Sequence, residues 1–209
     1  CIIVAENKVI GEGWHAAAGK AHAEINALKM AGDKAKGASA YVTLEPCSHE
    51  GRTGPCSEAF IKAGITSVIT AMQDPFDEVS GKGIEEMRAA GIKVKVGLFE
   101  EEARKINRGY LSRIERNRPF VRLKVAASMD GATAMKSGES EWITGIEARR
   151  DVQKLRASSD AILTGVGTIL DDNPLMNLRD TSYTDKQPLR IILDSYLRTP
   201  EDAKIFRSE

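Results

Sequence analysis

The sequence predicts an α/β fold in two successive domains. Short apolar, β-branched runs alternate with segments of helical apolar spacing along most of the 209 residues. A polar Arg116-Asn117-Arg118-Pro119 stretch interrupts the alternation, because proline removes a donor and disfavours helix in the residue before it. The domains are therefore expected over residues 1–117 and 118–209, each able to bury a core.

Residues 1–5 and 9–14 are apolar runs on either side of Glu6-Asn7-Lys8, a polar turn that suits a hairpin. Residues 22–31 place Ile25 and Leu28 at helical spacing, and Gly32 supplies the stop. Residues 40–44 read as a strand. The stretch 48–55, with two glycines, a proline and no apolar face, reads as a loop. Helix resumes at Cys56 and runs to Gly64, and residues 66–71 are a β-branched strand. A helix over 83–90, a strand over 92–96 and one charged helix over 99–114 complete the first domain. In the second, residues 120–127 predict a strand, Asp130-Gly131 a turn, 146–157 an amphipathic helix, and 161–164 and 189–193 two further strands.

Thirty basic residues balance thirty acidic ones and aromatics are 5% of the chain, so neither a broad field nor a stacking track favours nucleic acid or membrane. No run approaches the roughly 18 apolar residues of a membrane span. Three cysteines make a poor disulfide framework, which suits the cytoplasm. A small-molecule substrate and further copies of the chain are the expected partners. Because the sequence opens inside an apolar run without Met and stops at Arg207-Ser208-Glu209, it reads as a piece of a longer protein.

His22-Ala23-Glu24, Pro46-Cys47 and Cys56 carry the chemistry. They offer three zinc-type ligands and one spare carboxylate, and a catalytic zinc typically keeps three protein ligands and leaves a fourth position for water. H-x-E followed by P-C and a second Cys is the arrangement of the zinc nucleobase deaminases. Glu24, two residues from His22, does not share its helix face and is free to shuttle protons. The competing reading is a structural zinc closed by His49 or His15, in a non-catalytic interaction module. A third is a deaminase of other nucleosides, nucleotides or tRNA bases.

Three stretches narrow this choice. His22-Ala23-Glu24, Thr43-Leu44-Glu45-Pro46-Cys47-Ser48-His49 and Gly51-Arg52-Thr53-Gly54-Pro55-Cys56, with eight residues between the cysteines, resemble the bifunctional riboflavin-biosynthesis deaminase–reductase family. The likeness continues through residues 124–131, 138–144 and 171–174. It implies a cytidine-deaminase-like α/β/α sandwich followed by part of a dihydrofolate-reductase-like α/β domain. It further implies zinc on His22, Cys47 and Cys56, proton transfer by Glu24, and substrate contacts from His15, His49 and Arg52. In the reductase part it implies substrate contacts from Lys124, Ser140, Arg156, Met176 and Arg179, and NADPH contacts from Ala126, Trp142, Thr168, Asp172 and Ser195. The family's glycine-rich phosphate loop would lie beyond Glu209, so the NADPH site within these residues is expected to be incomplete. Without the resemblance, Gly165-Val166-Gly167 is no dinucleotide fingerprint, Trp142 reads more readily as core than as a cofactor platform, Arg156 as a solvated helix face and Arg179 as an ordinary loop cation.

Overall fold

The computed structural model describes residues 1–51, 53–139 and 142–207. The chain divides into two compact units, residues 1–122 and 123–209.

The first unit is built on a five-stranded mixed sheet of order β2-β1-β3-β4-β5. Strands β1 (Ile2–Ala5) and β2 (Lys8–Glu12) form the hairpin. Its two-residue turn takes positive φ at both Glu6 and Asn7, the geometry that matches strand twist. On its other edge β1 pairs antiparallel with β3 (Ser39–Val42), after which β4 (Ser67–Thr70) and β5 (Lys93–Val96) continue in parallel. Parallel neighbours need crossovers, and the helices α2 (Cys56–Lys62) and α3 (Lys82–Ala89) supply them.

Helix α1 (Ala23–Ala31) lies on the hairpin at very short range. A Cβ added at Gly11 would stand 2.3 Å from the Ala27 carbonyl oxygen, and one at Gly13 would stand 2.3 Å from that of Ala23. Gly11 on β2 and Gly13 just past its end, facing Ala23, Ala27 and Ala31 on α1, therefore set the height of the helix, and with it the position of its first residues. Phe60, Val68, Met87 and Ile92 complete the main core around them.

A second cluster of Ala71, Met72, Ala103 and Leu111 packs beyond the ends of β3 and β4. It comes partly from the charged region predicted as one helix over 99–114. The structure corrects this to two, α4 (Glu100–Ile106) and α5 (Arg108–Arg116). The break falls at Asn107, whose side-chain amide donates to the Ala103 carbonyl that its backbone N–H also uses. Short polar side chains compete with the helical ladder in this way.

In the second unit, β6 (Ala161–Gly165) and β7 (Leu189–Leu193) pair in parallel. Helix α6 (Ile146–Ala157) precedes β6, and α7 (Val166–Asp172), which periodicity did not suggest, follows it directly. Ile169, Ala203 and Ile205 form a small core. The strand predicted over 120–127 is a further correction: these residues carry no helix or strand, and Val121, Leu123 and Val125 are exposed. Alternation alone does not make a strand; a ladder partner does, and none of these residues is part of a β-ladder in either sheet. At Asp130-Gly131 the chain turns, with Gly131 N–H donating to Ser128 O and φ at +84°.

Candidate functional site

His22 is the N-cap of α1, with extended backbone and no side-chain cap bond, so its ring is free for other partners. Cys56 is the first residue of α2. Cys47 lies on the segment leaving β3, and its sulfur receives the Cys56 backbone N–H at 3.5 Å. The positive ends of two helices thus meet at a thiol pair, which favours thiolate.

The donor geometry can be tested against a metal. His22 Nδ1 lies 3.5 Å from Cys47 Sγ and 3.3 Å from Cys56 Sγ, and the three donor atoms all fall within 4.8 Å of one another. Zinc bond lengths of about 2.0 Å to nitrogen and 2.3 Å to sulfur, at the tetrahedral angle, separate N and S by about 3.5 Å. Two thiols and an imidazole at these spacings therefore fit zinc.

Electrostatics divides the groups. Cys47 is lowered to about 5, first by the hydrogen bond from the Cys56 thiol and then, against burial, by the Cys56 N–H and His22. Cys56 is pushed up by that same bond to Cys47, by burial and by Glu24. Glu24, in the first turn of α1 and buried, has its carboxyl raised above the ordinary range chiefly by burial. It is outside the three-donor cluster.

A cavity of about 260 Å³ opens on the donors, with His15, Lys20, His22, Cys47, His49, Gly51 and Thr53 among its lining residues. His15 meets the His22 ring edge-on at 5.1 Å between centroids. His49 Nδ1 is buried without a hydrogen-bond partner among the described residues. Both histidines line the cavity and neither joins the donor cluster. Arg52 lies outside the described residues. Sequence reasoning missed Lys20 and Thr53 in the lining. It also missed Asn26, whose amide donates to Trp14 O and Ala21 O and clasps the loop that carries His15 and Lys20. The sole signal for Lys20 was its place two residues before His22.

In the second unit, Arg156 and Arg179 are close enough for Arg179 to lower the half-buried Arg156, after burial as the larger cause. Arg156 donates to Asn177 O at 2.5 Å, and the Arg179 N–H donates to Gln153 Oε1 at 2.9 Å. Met176, with φ of +54°, packs instead against the small core of Ile169, Ala203 and Ile205. Buried Asn177 Oδ1, unpartnered among the described residues, was not foreseen. Thr168 and Asp172 share a face of α7 after β6, and Ser195 follows β7. Thr168 and Ser195 thus follow the carboxyl ends of β6 and β7, and Asp172 ends α7. Trp142 is exposed with the Arg149 guanidinium over its ring. Among the described residues, no hydrogen bond or salt bridge ties Lys124 or Ala126 to either group, and Ser140 lies outside the described residues.

Residues 1–72 match the family model of the cytidine and deoxycytidylate deaminase zinc-binding region, and residues 119–209 match that of the RibD C-terminal domain. The riboflavin biosynthesis protein RibD of Escherichia coli (strain K12) is 50% identical over 209 residues, a match taking in 95% of this chain and 57% of the relative. Over nearly its whole length the chain is similar to RibD proteins. Among solved structures, RibD of Acinetobacter baumannii matches with a TM-score of 0.90 at 50% identity, covering 98% of this chain and 58% of that one. A diaminohydroxyphosphoribosylaminopyrimidine deaminase/5-amino-6-(5-phosphoribosylamino)uracil reductase from Thermotoga maritima matches with a TM-score of 0.91 at 36% identity, covering 99% and 59%. The chain thus spans less than two thirds of the length of these RibD relatives. No helix among the described residues is long and apolar enough to cross a membrane.

Proposed function

We propose that the first unit is a zinc-dependent hydrolytic deaminase acting on 2,5-diamino-6-ribosylamino-4(3H)-pyrimidinone 5′-phosphate. The second unit is then part of an NADPH-dependent reductase that converts the ribosyl group of the deaminated product to a ribityl chain. The observation that carries this reading is the open three-donor cluster beside Glu24, a buried carboxyl outside the donor set.

His22 Nδ1, Cys47 Sγ and Cys56 Sγ would hold the zinc. Bound there, zinc supplies activation of a water in the position the protein leaves open. Glu24 takes the proton of the attacking water on its carboxylate and returns it to the departing ammonia. Its raised pKa suits it to holding that proton in the interval between the two transfers. His15 and His49 line the cavity where the pyrimidine would lie, and Arg52, between Gly51 and Thr53 in the sequence, would supply charge for the ribose phosphate. In the second unit, Arg156, Arg179, Met176, Lys124 and Ser140 would receive the phosphorylated substrate. Ala126, Trp142, Thr168, Asp172 and Ser195 would receive NADPH, which supplies the hydride. Three free cysteines, two of them in the metal cluster, are consistent with a reducing cytoplasm.

The test is ammonia release from the pyrimidine phosphate and from cytidine, by wild type and Glu24→Gln, at measured zinc content. Release from the pyrimidine phosphate alone, lost in the variant at full zinc occupancy, supports the reading. Full occupancy without ammonia release from either substrate removes the deaminase, and release from cytidine alone transfers it to another base.

A further inference from the structure

Glu45 is 4% exposed, and among the described residues no ion pair offsets its charge. Its Oε2 accepts the backbone N–H groups of Asp74 at 3.1 Å and Gly81 at 2.9 Å, and its Oε1 accepts that of Ile84 at 3.2 Å. One buried carboxylate thus closes the neck of the loop between residues 74 and 81 and caps the first turn of α3. It stands two residues before Cys47, and its own N–H is held by Met72 O.

The same helix grips the ligand segment at two more points. A Cβ added at Gly83 would stand 2.0 Å from the Pro46 carbonyl oxygen, so α3 touches the Pro46-Cys47 backbone directly. Glu86 accepts the Ser57 hydroxyl at 2.6 Å, while the Ser57 N–H donates to Cys47 O at 3.1 Å. None of these groups belongs to the donor cluster, yet together they leave Cys47 little freedom to move.

We propose that Glu45 is a positioning residue of the metal centre, one that sets the Cys47 sulfur at ligand distance by locking the strand-exit backbone to α3. Metal sites tolerate ligand-distance errors of about 0.2 Å, so a small release of this backbone acts on affinity before it acts on the fold. A carboxylate suits the place because all three donors are N–H groups. Glutamine would turn an N–H donor toward at least one of them.

The proposal rests on the zinc reading, and its test separates the two. Zinc affinity by chelator competition and the electronic spectrum of the cobalt(II)-loaded chain are measured for wild type, Glu45→Gln, Gly83→Ala and Ile92→Val, with denaturant unfolding of each metal-free form. Ile92 is a core residue outside the Glu45 network and serves as the stability-matched control. Glu45→Gln and Gly83→Ala are expected to weaken zinc binding about tenfold or more and to shift the cobalt spectrum, as substitutions behind metal ligands do. Ile92→Val should leave both unchanged. Wild-type affinity and spectrum in Glu45→Gln overturn the proposal, as does an equal loss in Ile92→Val. If Glu45→Gln unfolds without metal, Gly83→Ala decides by the same readouts, since it displaces the Pro46 carbonyl with the carboxylate intact. A wild-type chain that binds no zinc counts against the metal reading and removes this proposal with it.

Discussion

Cys56 Sγ lies 3.3 Å from His22 Nδ1 across 34 residues of chain, and each of the two residues opens a helix. The site is therefore only as well placed as α1 and α2 are against the sheet. Packing far from the cavity bears on the chemistry.

Glu24→Gln keeps the shape of the side chain and removes its capacity to carry a proton. The expected outcome is unchanged zinc stoichiometry with the deamination rate lowered about 10²- to 10⁴-fold, the span of general acid–base contributions. Steady-state ammonia assays beside metal analysis check both halves.

Zinc loading should acidify the medium. In the metal-free chain the Cys47 thiol is lowered to about 5 by its hydrogen bonds and His22, whereas the bond to Cys47 and burial push the Cys56 thiol up, so that it keeps its proton. Metal ligation requires both as thiolates, so binding expels that proton. Zinc affinity then rises with pH, about tenfold per unit for the one proton displaced. Titration in weakly buffered solution with a pH indicator measures the proton, and Cys56→Ser should lose most of the affinity.

Gly13→Ala places a methyl carbon 2.3 Å from the Ala23 carbonyl oxygen and 2.6 Å from the Ala27 nitrogen, both backbone atoms of α1. Overpacking of this kind costs about 1–3 kcal/mol. Gly109, in α5, has nothing within 4 Å of an added Cβ, and Ala there should stabilise by about 0.4–1 kcal/mol. Denaturant midpoints measured side by side should move in opposite directions.

Tyr110 donates its hydroxyl to Asp74 Oδ1 at 2.7 Å, and burial, followed by that bond, raises its pKa. A tyrosine whose folded pKa exceeds its unfolded value of about 10 contributes stability that is complete below that pH. The contribution is lost as pH rises through the folded value. Thermal unfolding above about pH 10 should therefore fall more steeply for wild type than for Tyr110→Phe. Parallel curves would remove the Tyr110–Asp74 bond from the account.

What could be read from the sequence depended on how local the cause was. His22, Glu24, Cys47 and Cys56 were legible because ligand chemistry restricts residue type, and helix starts are marked by composition. The Glu6-Asn7 hairpin and the stop at Gly32 followed from short-range rules. The break at Asn107 was not legible, since one side-chain bond to Ala103 interrupts a charged stretch whose pattern suits a single helix. Residues 120–127 carry a strand pattern, but pairing depends on a partner the pattern cannot specify. Glu45 read as one letter of a motif, because its three donors lie 29 to 39 residues further along the chain.

X-ray absorption by the zinc-loaded chain tests the open three-ligand centre most directly. The account predicts two sulfurs at about 2.3 Å and two lighter atoms at about 2.0 Å, with outer-shell scattering from a single imidazole. A second imidazole, from His15 or His49, would mean a closed structural site and would contradict the deaminase reading.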